Sequence, residues 1–200
     1  MSRSLLAVTA AAVLLFGACS RGEEAGPSTT STIPKVDIAL EVTGVEVNGT
    51  APPSDEVVAA TVATLDQYIA DAVVTPLQTG EVGSGLAAAF TAAAATRLDT
   101  DDRDALVDDH LPRLPRVRSQ RANVALSTLA GPDGQIGVIV ASLDLAVRAI
   151  GEDDDLDITH AGDLVLVPEG ATWKIDSYSM HTTRDRHPEP TTTTEAEDDE

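Results

Sequence analysis

The chain is poor in cysteine, in aromatic side chains and in positive charge. Its 200 residues include one cysteine, Cys19, and only 2% aromatics. A lone thiol forms no disulfide within the chain and no cysteine-based metal cluster. So few rings give no platform for stacking bases or sugars, and the core must come from alanine, valine and leucine. Lysine occurs only at Lys35 and Lys174, and 13 basic residues face 33 acidic ones, a formal net charge of −20. Such a chain repels phosphate backbones and anionic head groups, so no nucleic-acid partner is expected; cationic partners and divalent ions fit the charge. Arginine in excess of lysine, with abundant alanine, is the compositional mark of a GC-rich genome such as an actinobacterium's.

The cysteine sits where it carries most meaning. Arg3 is followed by an apolar run from Leu5 to Phe16, then Gly17-Ala18-Cys19. A basic start, a short apolar stretch and small residues before a cut make a secretory signal. The run is too short to span a bilayer, which takes about 20 residues. Gly17, Ala18 and Cys19 resemble the lipobox of bacterial lipoproteins, with Phe16 where leucine is usual. The resemblance implies cleavage before Cys19, a diacylglycerol on its sulfur and an acylated (for example palmitoylated) new N-terminus. Residues 1–18 are then a signal peptide, and the mature protein is held on the outer side of the cell membrane by lipid on Cys19. Two or three acyl chains, each buried CH₂ contributing about 0.8 kcal/mol, anchor firmly where one does not. A secreted domain without disulfides must be stable through its core alone.

Residues 19–35 are rich in Gly, Pro, Ser and Thr without apolar periodicity, the composition of a flexible tether. Residues 185–200, with Pro188, Pro190, Thr191–Thr194 and a closing acidic run, read as a disordered acidic tail. The domain proper is expected over residues 36–184.

Its pattern is α+β. Val36–Val47 alternates as a strand whose phase slips at Gly44, predicting a bulge or bend. Ser54 caps a helix from Asp55 to Val74, with Val58, Val62, Leu65, Ile69 and Val73 on one face and Pro76 and Gly80 as stops. Ser84 opens a second helix with Leu86, Phe90, Ala94 and Leu98 in a stripe. Thr100 or Asp101 caps a short third one over Leu106, Val107 and Leu111. Four strands follow, 117–129, 136–150, 156–167 and 172–181, with turns at Gly131–Gly134 and Glu169–Ala171. Ile139, Ala141, Leu143, Leu145 and Val147 share one face of the second, which fits an antiparallel meander packed on the helices.

Strand, three helices and a four-stranded antiparallel meander closing on Gly170-Ala171-Thr172-Trp173-Lys174-Ile175 resemble the NTF2-like (cystatin-like cone) superfamily over roughly residues 55–183. The strand at Val36–Val47 is an addition to that pattern. The resemblance implies a cone that often encloses a pocket, pairing of two copies through the outer sheet face, and, in some members, isomerase or dehydratase activity that uses a tyrosine and aspartates. Tyr178, Asp144, His160 and Asp176 are the residues available for such a role, though none matches a family motif by position. Tyr178 and Asp176 alternate away from Trp173 and Ile175 and are expected to face solvent.

Other chemistry is thinly supported. The acidic clusters Asp99, Asp101, Asp102, Asp104 and Asp153, Asp154, Asp155, Asp157 lack the glycine and glutamate of a calcium loop. They read as a helix start and a solvated turn. His110, His160, His181 and His187 lack metal-ligand spacing. Gly80, Gly83 and Gly85 are no phosphate loop, and Gly83-Ser84-Gly85 is no nucleophile elbow. No catalytic set, cofactor or metal is assigned. The reading is a lipid-anchored envelope protein that binds a partner protein or a small apolar ligand without catalysis. A pocket enzyme of the NTF2-like type is the alternative, and calcium dependence a third.

Overall fold

The computed structural model describes residues 36–49, 52–98, 102–152 and 154–188. All belong to the second of two units, Ile33–Glu200. Cys19, the tether and residues 189–200 lie outside the described residues, as do Asp99, Thr100, Asp101 and Asp153. The architecture is α+β: a five-stranded mixed sheet with short helices on one face. The sheet order is β1 (Glu41–Asn48), β2 (Arg116–Ala130), β3 (Ile136–Ile150), β4 (Asp154–Glu169), β5 (Thr172–Pro188). β1 runs parallel to β2, and every later neighbour is antiparallel.

The strands lie close to where alternation places them, with two corrections. β1 begins at Glu41, so residues 36–40, expected in the first strand, lie outside the sheet. β5 continues to Pro188, so residues 185–188, expected in the tail, belong to the sheet and pair with the start of β4. The inner face of β3 is Ile139, Ala141, Leu143, Leu145 and Val147, all buried, as the period of two requires. The expected slip in β1 appears as a register shift between Val42 and Gly44.

The first helix corrects the sequence reading. α1 (Asp55–Ile69) starts at Ser54, whose hydroxyl accepts from the Val57 N–H, with Asp55 and Glu56 in its first turn. It does not stop before Pro76. A π-turn (Ala70–Val74) carries it into α2 (Thr75–Thr79), and Gly80 ends it in the left-handed region at φ 77. Pro76 has no N–H for the Ala72 carbonyl four residues back. The backbone N–H of Asp108 donates to that carbonyl instead, at 2.9 Å. The run Asp55–Thr79 is 25 residues and contains an 18-residue window with a mean hydropathy of 1.4, long and apolar enough by length and composition alone to cross a membrane, a test that the core helix of a soluble protein also passes. Its buried stripe of Leu65, Tyr68, Ile69, Ala72, Val73 and Leu77 joins the core between helix and sheet.

The second expected helix is broken. Leu86–Ala89 is a single 3₁₀ turn, Phe90 is extended, and α3 is only Ala92–Arg97, capped by the Thr91 hydroxyl. Tertiary contact overrides the helix preference of the alanines here. Phe90 bridges to Ile175 of β5, and its ring meets Tyr68 and Tyr178 edge-on at 5.9 and 6.4 Å. The third helix is one turn, α4 (Arg103–Leu106).

Candidate functional site

Chemistry-bearing side chains converge at one place inside the domain. The loop after α4 brings Asp108 against β4 and β5. It is fixed there by the Asp108 N–H on Ala72 and by the Tyr68 hydroxyl, which donates to the Leu106 carbonyl at 3.0 Å. The Asp108 carboxylate accepts from His160 Nε2 and from the Arg184 guanidinium, each at 2.8 Å. An ionised carboxylate only accepts, so the Nε2 facing Asp108 carries a proton. Nδ1 of His160 lies 3.1 Å from the Thr182 hydroxyl, which also reaches the Ala105 carbonyl at 2.7 Å. One hydroxyl proton serves one of these at a time. Arg184 donates onward to the Asp104 carbonyl at 2.7 Å. Tyr68 is fully buried beside this charge. Burial first, then Asp108, pushes its phenol well above the usual value of 10.0, with Arg184 opposing.

Asp108, His160 and Thr182 stand in the order of orienting acid, base and hydroxyl used in nucleophilic catalysis. Burial decides against that use. Asp108 and His160 have no exposed surface, and the inner face around them is filled by Tyr68, Leu106, Leu145 and Ile158, all fully buried. The Thr182 hydroxyl is only partly buried, but it is held between the Ala105 carbonyl and the sealed imidazole. Every polar group in the network has a partner, the condition for burying charge without a large penalty. The group fastens the α4 loop to the sheet.

Of the four residues singled out from sequence, only His160 enters this site. Asp144 lies on the outer sheet face, paired with Arg121 at 2.5 Å. Asp176 is the extra residue of a bulge in β5, where the register shifts between Val165 and Leu166. Its carboxylate accepts from Thr91 and its carbonyl from Arg97. The bulge overturns the expectation for Tyr178. One inserted residue reverses the alternation, so Tyr178 joins Trp173 and Ile175 on the helix side. It is half-buried against Phe90, under Arg97, and donates to Asp102 at 3.0 Å. Burial, followed by that bond, raises its phenol above 10.0. Asp108, Thr182 and Arg184 escaped the sequence reading. Thr182 and Arg184 share a period-two row with Tyr178, but Asp108 looked like part of a helix end.

Several carboxylates of the acidic clusters pair with basic side chains of the protein itself. Asp155 pairs with Arg148 at 2.6 Å, and Asp157 with His187 at 2.8 Å. Asp104 lies 3.9 Å from His110. Among the described residues no three His, Cys, Asp or Glu side chains are grouped to hold a metal.

Several hollows open on the surface of the described residues, and two of them bear on function. The larger, about 480 Å³, is a groove between α1 and the 3₁₀ turn, floored by Ala60, Ala63, Ala88 and Ala89, with Thr64 and Lys174 at its side. Lys174 donates to the Ala88 carbonyl, and the Thr64 hydroxyl to that of Trp173 at 2.7 Å. The smaller, about 260 Å³, lies where the chain enters the domain, between Val36–Ala39 and α1, with Asp66 on its wall. No protein-family model matches this chain, and comparison with curated proteins and solved structures found no match either.

Proposed function

We propose that this chain is a lipid-anchored envelope protein whose NTF2-like domain binds a small apolar ligand without catalysis. The signal pattern ending at Cys19 supports the anchor, and helices on one face of a long meander support the NTF2-like arrangement. The observation that carries the binding reading is the contrast between interior and surface. The Asp108–His160 pair is sealed from solvent, whereas the alanine-floored groove is open and beside Lys174. Small side chains leave room for an apolar body, and the ammonium is complementary to an anionic end. In a chain of charge −20 that cation stands out. The ligand class that fits is a fatty-acid-like anionic amphiphile. A protein partner in the envelope docking on this groove is the other outcome.

The anchor is tested by expressing the chain and its Cys19→Ala variant in a lipoprotein-processing bacterium. Wild type should partition to membranes with the mass of an added diacylglycerol, and the variant should lose both. Ligand binding is tested with a fluorescent fatty acid. Wild type should bind it, Ala63→Trp should fill the groove and abolish binding, and Lys174→Ala should weaken it about tenfold, as the loss of one charge-assisted contact does. Equal binding by wild type and Ala63→Trp would sink the groove assignment.

A further inference from the structure

β1 is the outermost strand on its side of the sheet, and all eight of its residues are exposed. Pairing with β2 sets Val42, Val45 and Val47 opposite Val124, Leu126 and Thr128, which are buried on the helix-facing side. The three valines share that face, but the helices do not cover it there. They are 36, 40 and 38% exposed. An open strand edge with an apolar stripe is a template for another strand. The outer face is different in kind, carrying the ion pairs Arg121–Asp144 and Arg148–Asp155.

We infer that β1 pairs antiparallel with β1 of a second copy about a twofold axis at Val45, joining two sheets edge to edge. The register follows from the strand's own pattern. The shift between Val42 and Gly44 makes Thr43 an extra residue, so Thr43 and Gly44 together oppose one residue of a facing strand. With the axis at Val45, Val45 meets its own copy and Val42 meets the second copy's Val47. On the other face Glu41 meets Asn48, and Thr43–Gly44 meets Glu46. All valines then lie in cross-strand pairs on one face, and no glutamate opposes a glutamate. A slip of two residues one way sets Glu46 against Glu46, and the other way Glu41 against Glu46. A slip of one residue puts the valines on opposite faces. The glutamates therefore select one register rather than only blunting the edge. Each copy carries a charge of −20, so pairing strengthens as salt screens their repulsion.

Sedimentation velocity of the full chain at rising salt should show a dimer that dissociates on dilution. Val45→Glu should be monomeric with an unchanged melting temperature, because Val45 is exposed. Cysteine scanning then reads the register. Under diamide, Val45→Cys should form a symmetric cross-linked dimer, because directly opposed Cα atoms in an antiparallel pair lie within disulfide reach. Glu46→Cys and wild type, which share Cys19, should not. A wild-type monomer at all salt concentrations, a Val45→Glu variant that still dimerises, or cross-linking through Glu46→Cys in place of Val45→Cys would each overturn the proposal.

Discussion

Asp108 and His160, 52 residues apart, meet at 2.8 Å with neither side chain exposed. The contact exists because Pro76 withholds an N–H from Ala72 and Asp108 supplies its own. A helix imperfection thus receives the loop that places the buried acid.

Removing that acid should be costly. Asp108→Ala leaves His160 and Arg184 without their shared acceptor, and losing one partner of a buried ion pair costs about 3–5 kcal/mol. Arg184→Ala should cost less, because its side chain is 18% exposed and water replaces part of the contact. Urea unfolding of both variants checks the order. An Asp108→Ala chain as stable as wild type would remove the network from the account of stability.

Gly162 should tolerate no side chain. Its φ is 144, and a Cβ there would lie 2.0 Å from the Ser179 carbonyl oxygen on β5. Gly162→Ala must force β4 and β5 apart or move the backbone, at a cost of at least about 1–3 kcal/mol. Thermal unfolding measures it, with Gly137→Ala, which meets no neighbour within 4 Å, as the comparison.

Asp66 should make the protein's stability rise toward acid at one position. Burial holds its carboxyl above the ordinary 3.8, against a hydrogen bond from the Leu40 backbone, and its Oδ1 has no partner. A raised carboxyl pKa means that the fold prefers the neutral acid. This contribution is complete below 3.8 and is lost as pH rises through the folded-state value. Asp66→Asn should therefore melt higher than wild type at neutral pH, with the gap closing on acidification below 3.8. A variant less stable than wild type at neutral pH would contradict this.

The two tyrosines should resist ionisation together. Tyr68 and Tyr178 are the only tyrosines in the chain, and burial raises both phenols above 10.0. Stability that rests on neutral phenols is present below 10.0 and is lost as pH rises through the folded values. Tyrosinate absorbance should then appear with alkaline unfolding rather than before it. Tyr178→Phe, which leaves only the fully buried Tyr68, should keep the two transitions together. Absorbance that titrates near 10 in the folded Tyr178→Phe chain would show Tyr68 to be wet.

Several features were readable from the sequence because their cause is local. The period of two in β3 places Ile139 to Val147 on one face, since successive side chains of a strand must alternate. Ser54 marks the start of α1, since its hydroxyl satisfies an N–H that no earlier residue can. The slip near Gly44 is visible as a broken alternation. Other features depend on contacts distant in sequence. Thr91 and Arg97 hold the extra residue Asp176, and that insertion turns Tyr178 inward. Phe90 leaves its alanine-rich helix to bridge to Ile175. Asp108 takes up a carbonyl that Pro76 leaves open 32 positions earlier. Sequence alone determined an acidic α+β chain with few aromatics and one cysteine at the end of a signal-like run, because composition and periodicity are sums over near neighbours. The tertiary structure decided which charges are sealed, which strand edge is open and where the alanines leave a groove, because each depends on what another part of the chain covers.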